Sequence, residues 1–141
     1  MGKRKNPLAR KLLPGLYGHV SAYRRLIINR DSYLYSSGWM ASLIESRPSD
    51  TQGNPIPWMN ASIVSLLQER LHRQMTVFEF GSGFSTQFYA RHVKQVTSVE
   101  HDERWFRNLA PNLPSNASVI FRPVDYDGDY CRAIESEEQP Y

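Results

Sequence analysis

The chain has 141 residues, of which 40% are hydrophobic and 22% charged, a composition typical of one globular domain. Its apolar runs fall well short of the roughly twenty residues of a membrane-spanning helix, and no signal-peptide core follows the first basic residues. The single cysteine, Cys131, excludes an internal disulfide framework and paired cysteine ligands for a metal. We therefore expect a cytoplasmic protein without a membrane span.

The net charge of +3 hides a strong asymmetry along the chain. Residues 1–30 contain eight Lys or Arg and no acid, whereas the other 111 residues contain nine basic and fourteen acidic side chains. We interpret residues 1–16 as a basic, partly disordered leader, because chain termini are often loose. Contact of this leader with nucleic acid or with an anionic membrane surface is the alternative.

Residues 17–60 are predicted to form a helical N-terminal extension that ends in a proline-rich loop. Between residues 20 and 44 the apolar side chains are spaced irregularly, which indicates two short helices separated near Arg30, with Asp31 or Ser32 as a cap. Residues 47–57 read RPSDTQGNPIP, a composition typical of a loop. We expect the aromatic side chains of the extension to be core residues rather than the lining of a substrate pocket.

The most informative stretch is residues 75–102, MTVFEFGSGFSTQFYARHVKQVTSVEHD, which follows a helix predicted over residues 61–71 with Asn60 or Ser62 as its cap. Its parts have the order of a nucleotide-binding βαβ unit. They are a strand at 76–80, a turn made by Gly81, Ser82 and Gly83, a helix capped by Ser85 or Thr86, and a second strand at 96–100. Glu100 ends that strand nineteen residues after Gly81, close to the spacing at which such units place a carboxylate for ribose hydroxyls.

Two features of the turn bear on the ligand. Dinucleotide sites have a third glycine that lets a helix pack tightly under the pyrophosphate, and here Thr86 occupies that position. Glu79 adds an acid beside the turn, where it would repel a pyrophosphate but suit a ligand with an amine. Glycine turns after strands also occur in α/β proteins that bind nothing there.

The segment Glu79-Phe80-Gly81-Ser82-Gly83 matches an acid-x-G-x-G motif, and Ser98-Val99-Glu100-His101-Asp102 matches a second motif that ends in an acid after the next strand. In these motifs the chain resembles the class I S-adenosylmethionine-dependent methyltransferases, over about residues 17–134, and looks most like a bacterial subgroup of unassigned substrate. The resemblance implies S-adenosyl-L-methionine as the cofactor and methyl transfer to an unknown acceptor. The cofactor-binding residues that we predict on this basis are Glu79, Gly81, Ser82, Gly83, Ser85, Glu100, His101 and Asp125.

Asp102 can cap a helix after the second motif, and residues 117–121 read as a third strand. In the position of Asp125, which follows this strand, related methyltransferases hold the adenine with an acid or a neighbouring backbone N–H. Asp125, Asp127 and Asp129 alternate as in a calcium loop, but the glycine and glutamate positions of that pattern do not match, so we predict no metal site. A further helix is predicted to start at Tyr130.

We therefore expect an α/β chain with a Rossmann-like methyltransferase fold that is apparently incomplete. It would have about three parallel strands with flanking helices, in a partial cofactor-binding domain at residues 61–141, plus the helical extension. The family resemblance implies about seven strands, so the expected protein is truncated or partial, and an exposed sheet edge would allow self-association.

No catalytic residue is predicted, because His92 reads as a helix-face residue and His101 as a cofactor contact or a helix cap. The alternatives to methyl transfer are a non-catalytic remnant or interaction module and, less favoured, a fragment of an NAD-binding enzyme.

Overall fold

The structure is a computed structural model that describes residues 14–136, so most of the basic leader and the last five residues lie outside the described part. The chain divides into two compact units, Met1–Gly53 and Asn54–Tyr141. Within the described residues, every helix is too short or too polar to cross a membrane.

The first unit contains three helices: α1 (Pro14–Ile28), α2 (Tyr33–Ser36) and α3 (Trp39–Glu45). The sequence predicted two helices here, and the prediction was wrong in number because the chain turns again at Gly38, whose φ of 79° favours glycine. Ser32 caps α2 by accepting a hydrogen bond from the Tyr35 N–H, as one of the two proposed caps.

The aromatic residues of the first unit are not its core. Tyr23, Tyr33 and Trp39 are 66%, 61% and 51% exposed, and neither α1 nor α3 contains a buried residue. The expectation that these side chains are core residues was therefore wrong for these three.

The second unit is a three-stranded parallel sheet flanked by helices. In chain order it contains α4 (Ala61–Arg70), β1 (Thr76–Phe80), α5 (Phe84–His92), β2 (Gln95–Glu100), α6 (Glu103–Leu109) and β3 (Ala117–Phe121), with 3₁₀ turns at Ala110–Asn112 and Ala133–Ser136. The strand order is β1-β2-β3, and both pairs are parallel. The expectation of an α/β chain with three parallel strands is confirmed.

The core of this unit lies on both faces of β2, the central strand. Val96 packs with Ala90 and Val93 at the end of α5, and all three are almost fully buried. Val99 alternates to the opposite face, where it is also fully buried. Because five of the six β2 residues are buried, this strand positions whatever follows its carboxyl end most firmly.

The caps predicted at Asn60 and Asp102 are confirmed, whereas the last predicted helix is absent from the described residues. Asn60 accepts a hydrogen bond from the Ile63 N–H, and Asp102 accepts one from the Trp105 N–H, each in the first turn of its helix. The helix predicted from Tyr130 is instead a short 3₁₀ turn beginning at Ala133.

Candidate cofactor site

The carboxyl ends of β1 and β2 lie side by side, so the residues that follow them form one edge of the sheet. In the register, Phe80 pairs with Val99, and the Gly81 N–H continues the ladder by donating to the Val99 carbonyl at 2.7 Å. Glu100 therefore stands beside the glycine turn although eighteen residues separate it from Ser82. Seven of the eight predicted residues belong to these two strand ends, the turn and the first turn of α5.

The glycine turn has one open and one covered glycine. Gly81 has a φ of 83°, and a Cβ added there would meet nothing within 4 Å, so space remains for a ligand against this backbone. A Cβ on Gly83 would instead lie 3.8 Å from the Trp105 ring, whose Nε1–H donates to the Ser82 carbonyl at 2.8 Å. An indole from α6 thus covers the second half of the turn.

The Glu100 carboxylate accepts four hydrogen bonds from its own chain. Oε2 accepts from the Ser82 N–H at 2.9 Å and from the Ser82 hydroxyl at 2.8 Å, while Oε1 accepts from the N–H groups of His101 and Asp102, each at 2.8 Å. The residue is only 4% exposed. The carboxylate thereby ties the glycine turn to the start of α6, and these bonds fill its usual acceptor positions.

Two opposing effects set the pKa of Glu100. Burial acts to raise it, but the hydrogen bonds from Asp102, Ser82 and His101 stabilise the ionised form and hold the pKa below its ordinary value. The His101 Nδ1 lies 3.3 Å from Oε1, so His101 borders the carboxylate with both its backbone and its ring.

Glu79 lies in a different environment beside the same turn. Its Oε1 accepts a hydrogen bond from the Ser85 hydroxyl at 2.9 Å, whereas its Oε2 is buried without a partner among the described residues. Burial raises the pKa of Glu79 above its ordinary value, although the hydroxyls of Ser85, Thr86 and Ser98 act in the opposite direction; the negative charge of Glu100 makes the smallest contribution to the rise. Ser85 therefore does not cap α5 with its hydroxyl but orients the neighbouring acid.

The prediction that Ser85 or Thr86 caps α5 was wrong, because the helix begins at Phe84 and its N-cap is Gly83; Thr86 lies in the first turn and bonds back to that residue. Its Oγ1 accepts a hydrogen bond from the Gly83 N–H at 2.9 Å and lies 3.3 Å from the Ser98 hydroxyl on β2. Thr86 and Ser98 are both fully buried. The third small position of the glycine pattern thus holds a residue that fixes the turn from beneath.

Tyr130 approaches the site from the segment after β3. Its ring lies 5.6 Å from the Phe80 ring and 5.9 Å from the His101 ring, measured between centroids. Burial and the charge of Glu100 raise the pKa of the Tyr130 hydroxyl, while the Gly81 N–H acts in the opposite direction. The hydroxyl therefore lies close to the open glycine, a position that the sequence did not indicate.

Asp125 shapes its own loop. Its Oδ1 accepts from the N–H groups of Gly128 and Tyr130 at 3.0 and 3.2 Å, and its Oδ2 accepts from the Asp129 N–H at 3.0 Å. A Cβ on Gly128 would lie 2.0 Å from this carboxylate, so a larger residue there would displace the Asp125 side chain. Asp125 acts on the candidate site through the placement of Tyr130.

These contacts test how far the residues fit S-adenosylmethionine. The open backbone at Gly81 and the unpartnered Oε2 of Glu79, an acceptor for an amine, fit such a ligand. A ribose hydroxyl at Glu100 would have to replace the Ser82 hydroxyl, which already occupies one acceptor position. The residues fit the cofactor if the Ser82 side chain rotates away.

Trp105 and Tyr130 are the two contacts that sequence reasoning missed. Trp105 lies in the helix predicted after Asp102, and its position three residues after that cap could have placed it over the turn. Tyr130 lies thirty residues from Glu100, and no local pattern connects them.

Neither a protein-family model nor a curated protein matches this sequence. The described residues define an α/β unit with a parallel sheet, a glycine turn after β1 and a buried carboxylate after β2.

Proposed function

We propose that the chain binds S-adenosylmethionine at the carboxyl ends of β1 and β2 and takes part in methyl transfer to an acceptor not yet identified. The observation that carries the proposal is the position of Glu100, beside a glycine turn of a parallel sheet and 2.8–2.9 Å from the N–H and hydroxyl of Ser82. A carboxylate at this point can accept hydrogen bonds from a ribose diol.

Glu79 supports a cationic ligand over a pyrophosphate. Among the described residues its carboxylate interacts with neutral hydroxyl groups and with no cation, so an ammonium group of a ligand would be its first positively charged partner. A pyrophosphate would bring negative charge towards two carboxylates. The same contact therefore favours an adenosyl ligand with an amino group over NAD.

The bound cofactor would supply an electrophilic sulfonium methyl group, and the chain would supply position and electrostatics. Gly81 admits the ligand close to the backbone, Glu100 orients hydroxyls, and Glu79 orients an amine. The Tyr130 and Phe80 rings would border the ligand on one side. We assign no general base.

A second candidate function follows from the four hydrogen bonds of Glu100. A carboxylate that is satisfied by its own chain can serve as a purely structural tie between the glycine turn and α6. The chain would then be an interaction module that retains the motifs without binding a cofactor.

Calorimetric titration of the full chain with S-adenosylhomocysteine, S-adenosylmethionine and NAD separates these candidates. We expect binding of both adenosyl ligands and none of NAD. A folded sample that binds neither adenosyl ligand would leave the structural role as the better account, and tight NAD binding would favour the dinucleotide alternative.

The variant Gly81→Ala tests the site with little loss of fold. An added Cβ meets no atom within 4 Å, so only the left-handed φ of 83° strains it, by about 1–2 kcal/mol, and ligand approach should be blocked. The matched control is Gly53→Ala in the first unit, where φ is 80° and the added Cβ makes only an ordinary contact. We expect adenosyl-ligand affinity to fall at least about ten-fold in Gly81→Ala and to be unchanged in the control.

Replacing Glu100 by Ala should weaken adenosyl-ligand binding by about 1–3 kcal/mol, because a charge-assisted hydrogen bond is lost. Thermal melting in parallel separates lost binding from lost structure. Unchanged affinity in a folded Glu100→Ala protein would contradict the assigned role.

A further inference from the structure

Helix α1 turns its apolar side chains outward. Leu16, Val20 and Tyr23 follow one another at spacings of four and three residues, which places them on one face of the helix. They are 60%, 49% and 66% exposed, and Leu26 beside them is 45% exposed. The partly covered side of the helix carries Tyr17 and Ser21 instead. We call Leu16, Val20, Tyr23 and Leu26 the apolar stripe.

The sequence of the apolar stripe and of the residues before it is basic, and the first acid of the chain is Asp31. Helix α1 contains Arg24 and Arg25 and no acidic residue, and Arg30 follows it. Residues 1–11 add five more Lys or Arg without an acid. The stripe therefore lies in the most basic part of the chain.

The same unit exposes further residues of the kind found where membranes meet water. On α3, Trp39 and Leu43 are separated by four residues and are 51% and 55% exposed, and Ile44 is 80% exposed. Trp and Tyr side chains suit this region because they combine an apolar ring with a polar group.

We propose that the first unit docks on an anionic phospholipid bilayer, with α1 lying in the plane of the surface. The apolar stripe would enter the boundary between headgroups and acyl chains, and Arg24, at the edge of the stripe, and Arg30 would contact lipid phosphates. At fifteen residues, or about 22 Å, the helix is too short to span a bilayer but suits this orientation.

Charge and apolarity together select this partner over two others. A second copy of the chain would cover the stripe but bring two arginine clusters together, which repel each other. A nucleic acid would neutralise the arginines but leave the stripe in water. An anionic bilayer accommodates both features at once.

The test is flotation of the full chain with lipid vesicles, using phosphatidylcholine alone or mixed with phosphatidylglycerol. We expect a partition coefficient at least about ten-fold higher on the anionic vesicles, with a decrease in high salt. Equal partition on the two lipids, or no binding to either, would overturn the proposal.

The stripe itself is tested by the triple variant Leu16→Gln, Val20→Gln, Tyr23→Gln. It should lose at least about ten-fold in partition on anionic vesicles, because the buried apolar area is lost while the charge remains. The matched control replaces Met59, Ile63 and Leu66 of the second unit, which are 40–50% exposed, by Gln and should bind as wild type. Binding that survives in the stripe variant would contradict docking through α1.

Charge is tested by Arg24→Gln with Arg30→Gln, for which we expect about a five-fold loss per arginine. Arg70→Gln with Arg73→Gln, two exposed positions in the second unit, is the control. If the wild type is a dimer and the stripe variant is a monomer, the apolar stripe binds a second copy of the chain. If the chain binds single-stranded RNA and no vesicles, the surface binds nucleic acid. Either result would overturn the proposal. These measurements do not depend on adenosyl-ligand binding.

Discussion

Glu79 and Glu100 lie beside the same glycine turn and are shifted in opposite directions. Glu100 receives four hydrogen bonds, which stabilise its ionised form and lower its pKa. Glu79 interacts only with neutral hydroxyls, chiefly that of Ser85, and burial outweighs them and raises its pKa. At neutral pH the ionised form of Glu100 stabilises the fold, and the ionised form of Glu79 destabilises it. The stability of the chain should therefore depend on pH at both residues, with opposite sign.

The stabilising effect of Glu100 should be lost in acid. Its folded pKa is below the ordinary 4.5, so as pH falls through that range the unfolded chain takes up a proton that the folded chain does not. Urea unfolding at several pH values should show Glu100→Gln less stable than wild type by about 1–3 kcal/mol at neutral pH, with the difference shrinking below pH 4.5. Glu103→Gln, at an exposed ion pair, is the control. A difference that is constant with pH would contradict the assigned shift.

Glu79→Gln should have the reverse profile. The pKa of Glu79 in the folded chain is raised above the ordinary value of 4.5. The free energy of unfolding of the wild type therefore falls as pH rises from 4.5 to the folded pKa. The variant lacks the buried charge and should be more stable than wild type above that interval, on the order of 1 kcal/mol. The same urea series measures it, with Glu69→Gln on an exposed position of α4 as the control. A variant that loses stability relative to wild type as pH rises would show that the carboxylate has a partner.

At the scale of elements, two buried threonines differ in what their hydroxyls do. Thr86, in the first turn of α5, accepts a hydrogen bond from the Gly83 N–H and contacts the Ser98 hydroxyl on β2. Thr97 on β2 has a buried hydroxyl with no partner in the described part of the chain. Both residues are at most 2% exposed. Replacing each threonine by valine keeps the side chain buried at both sites but removes a hydrogen bond only at Thr86. The difference between the two variants therefore measures the contribution of the hydrogen bond.

Thr86→Val should lower the free energy of unfolding by about 1–3 kcal/mol, because the Gly83 N–H loses its acceptor. Thr97→Val should be neutral or stabilising, since valine removes an unsatisfied hydroxyl and suits a strand. Chemical denaturation of both variants provides the comparison. Equal losses at the two sites would mean that the hydrogen bond contributes nothing beyond packing.

The elements of the second unit were largely predictable from the sequence because local signals determine them. The strand at Thr76–Phe80 and the one at Ala117–Phe121 were predicted with the observed bounds, and Asn60 and Asp102 were predicted as caps. The first unit was less predictable. Its aromatic side chains were expected in the core because aromatic residues are usually buried. Their irregular spacing gave no signal that Tyr23, Tyr33 and Trp39 are exposed.

The candidate site was predictable only in its placement. Glycines after one strand and an acid after the next must meet at the same edge of a parallel sheet, which brings Gly81 and Glu100 together. The occupancy of the Glu100 oxygens and the approach of Tyr130 depend on side-chain rotamers and on a long-range contact. No spacing in the sequence encodes these.

Binding of a cofactor to the folded chain should raise its free energy of unfolding. Few apolar side chains of the described residues are fully buried, so we expect a free energy of unfolding near the low end of the usual range, about 5 kcal/mol. S-adenosylhomocysteine at a hundred times its Kd should add about 2.7 kcal/mol, and NAD should add none. Thermal shift with each ligand measures this, and equal shifts with both would contradict selective binding.

The Ser82 hydroxyl gives ligand binding at Glu100 an unusual energetic balance. A sugar hydroxyl that reaches Oε2 replaces a serine hydroxyl already bonded there at 2.8 Å, so the number of hydrogen bonds at the carboxylate is conserved. The serine hydroxyl therefore offsets part of the free energy that a diol gains at Glu100. Ser82→Ala removes the competitor and leaves the acceptor free, so in this chain deletion of a binding-site hydroxyl should tighten binding of a diol.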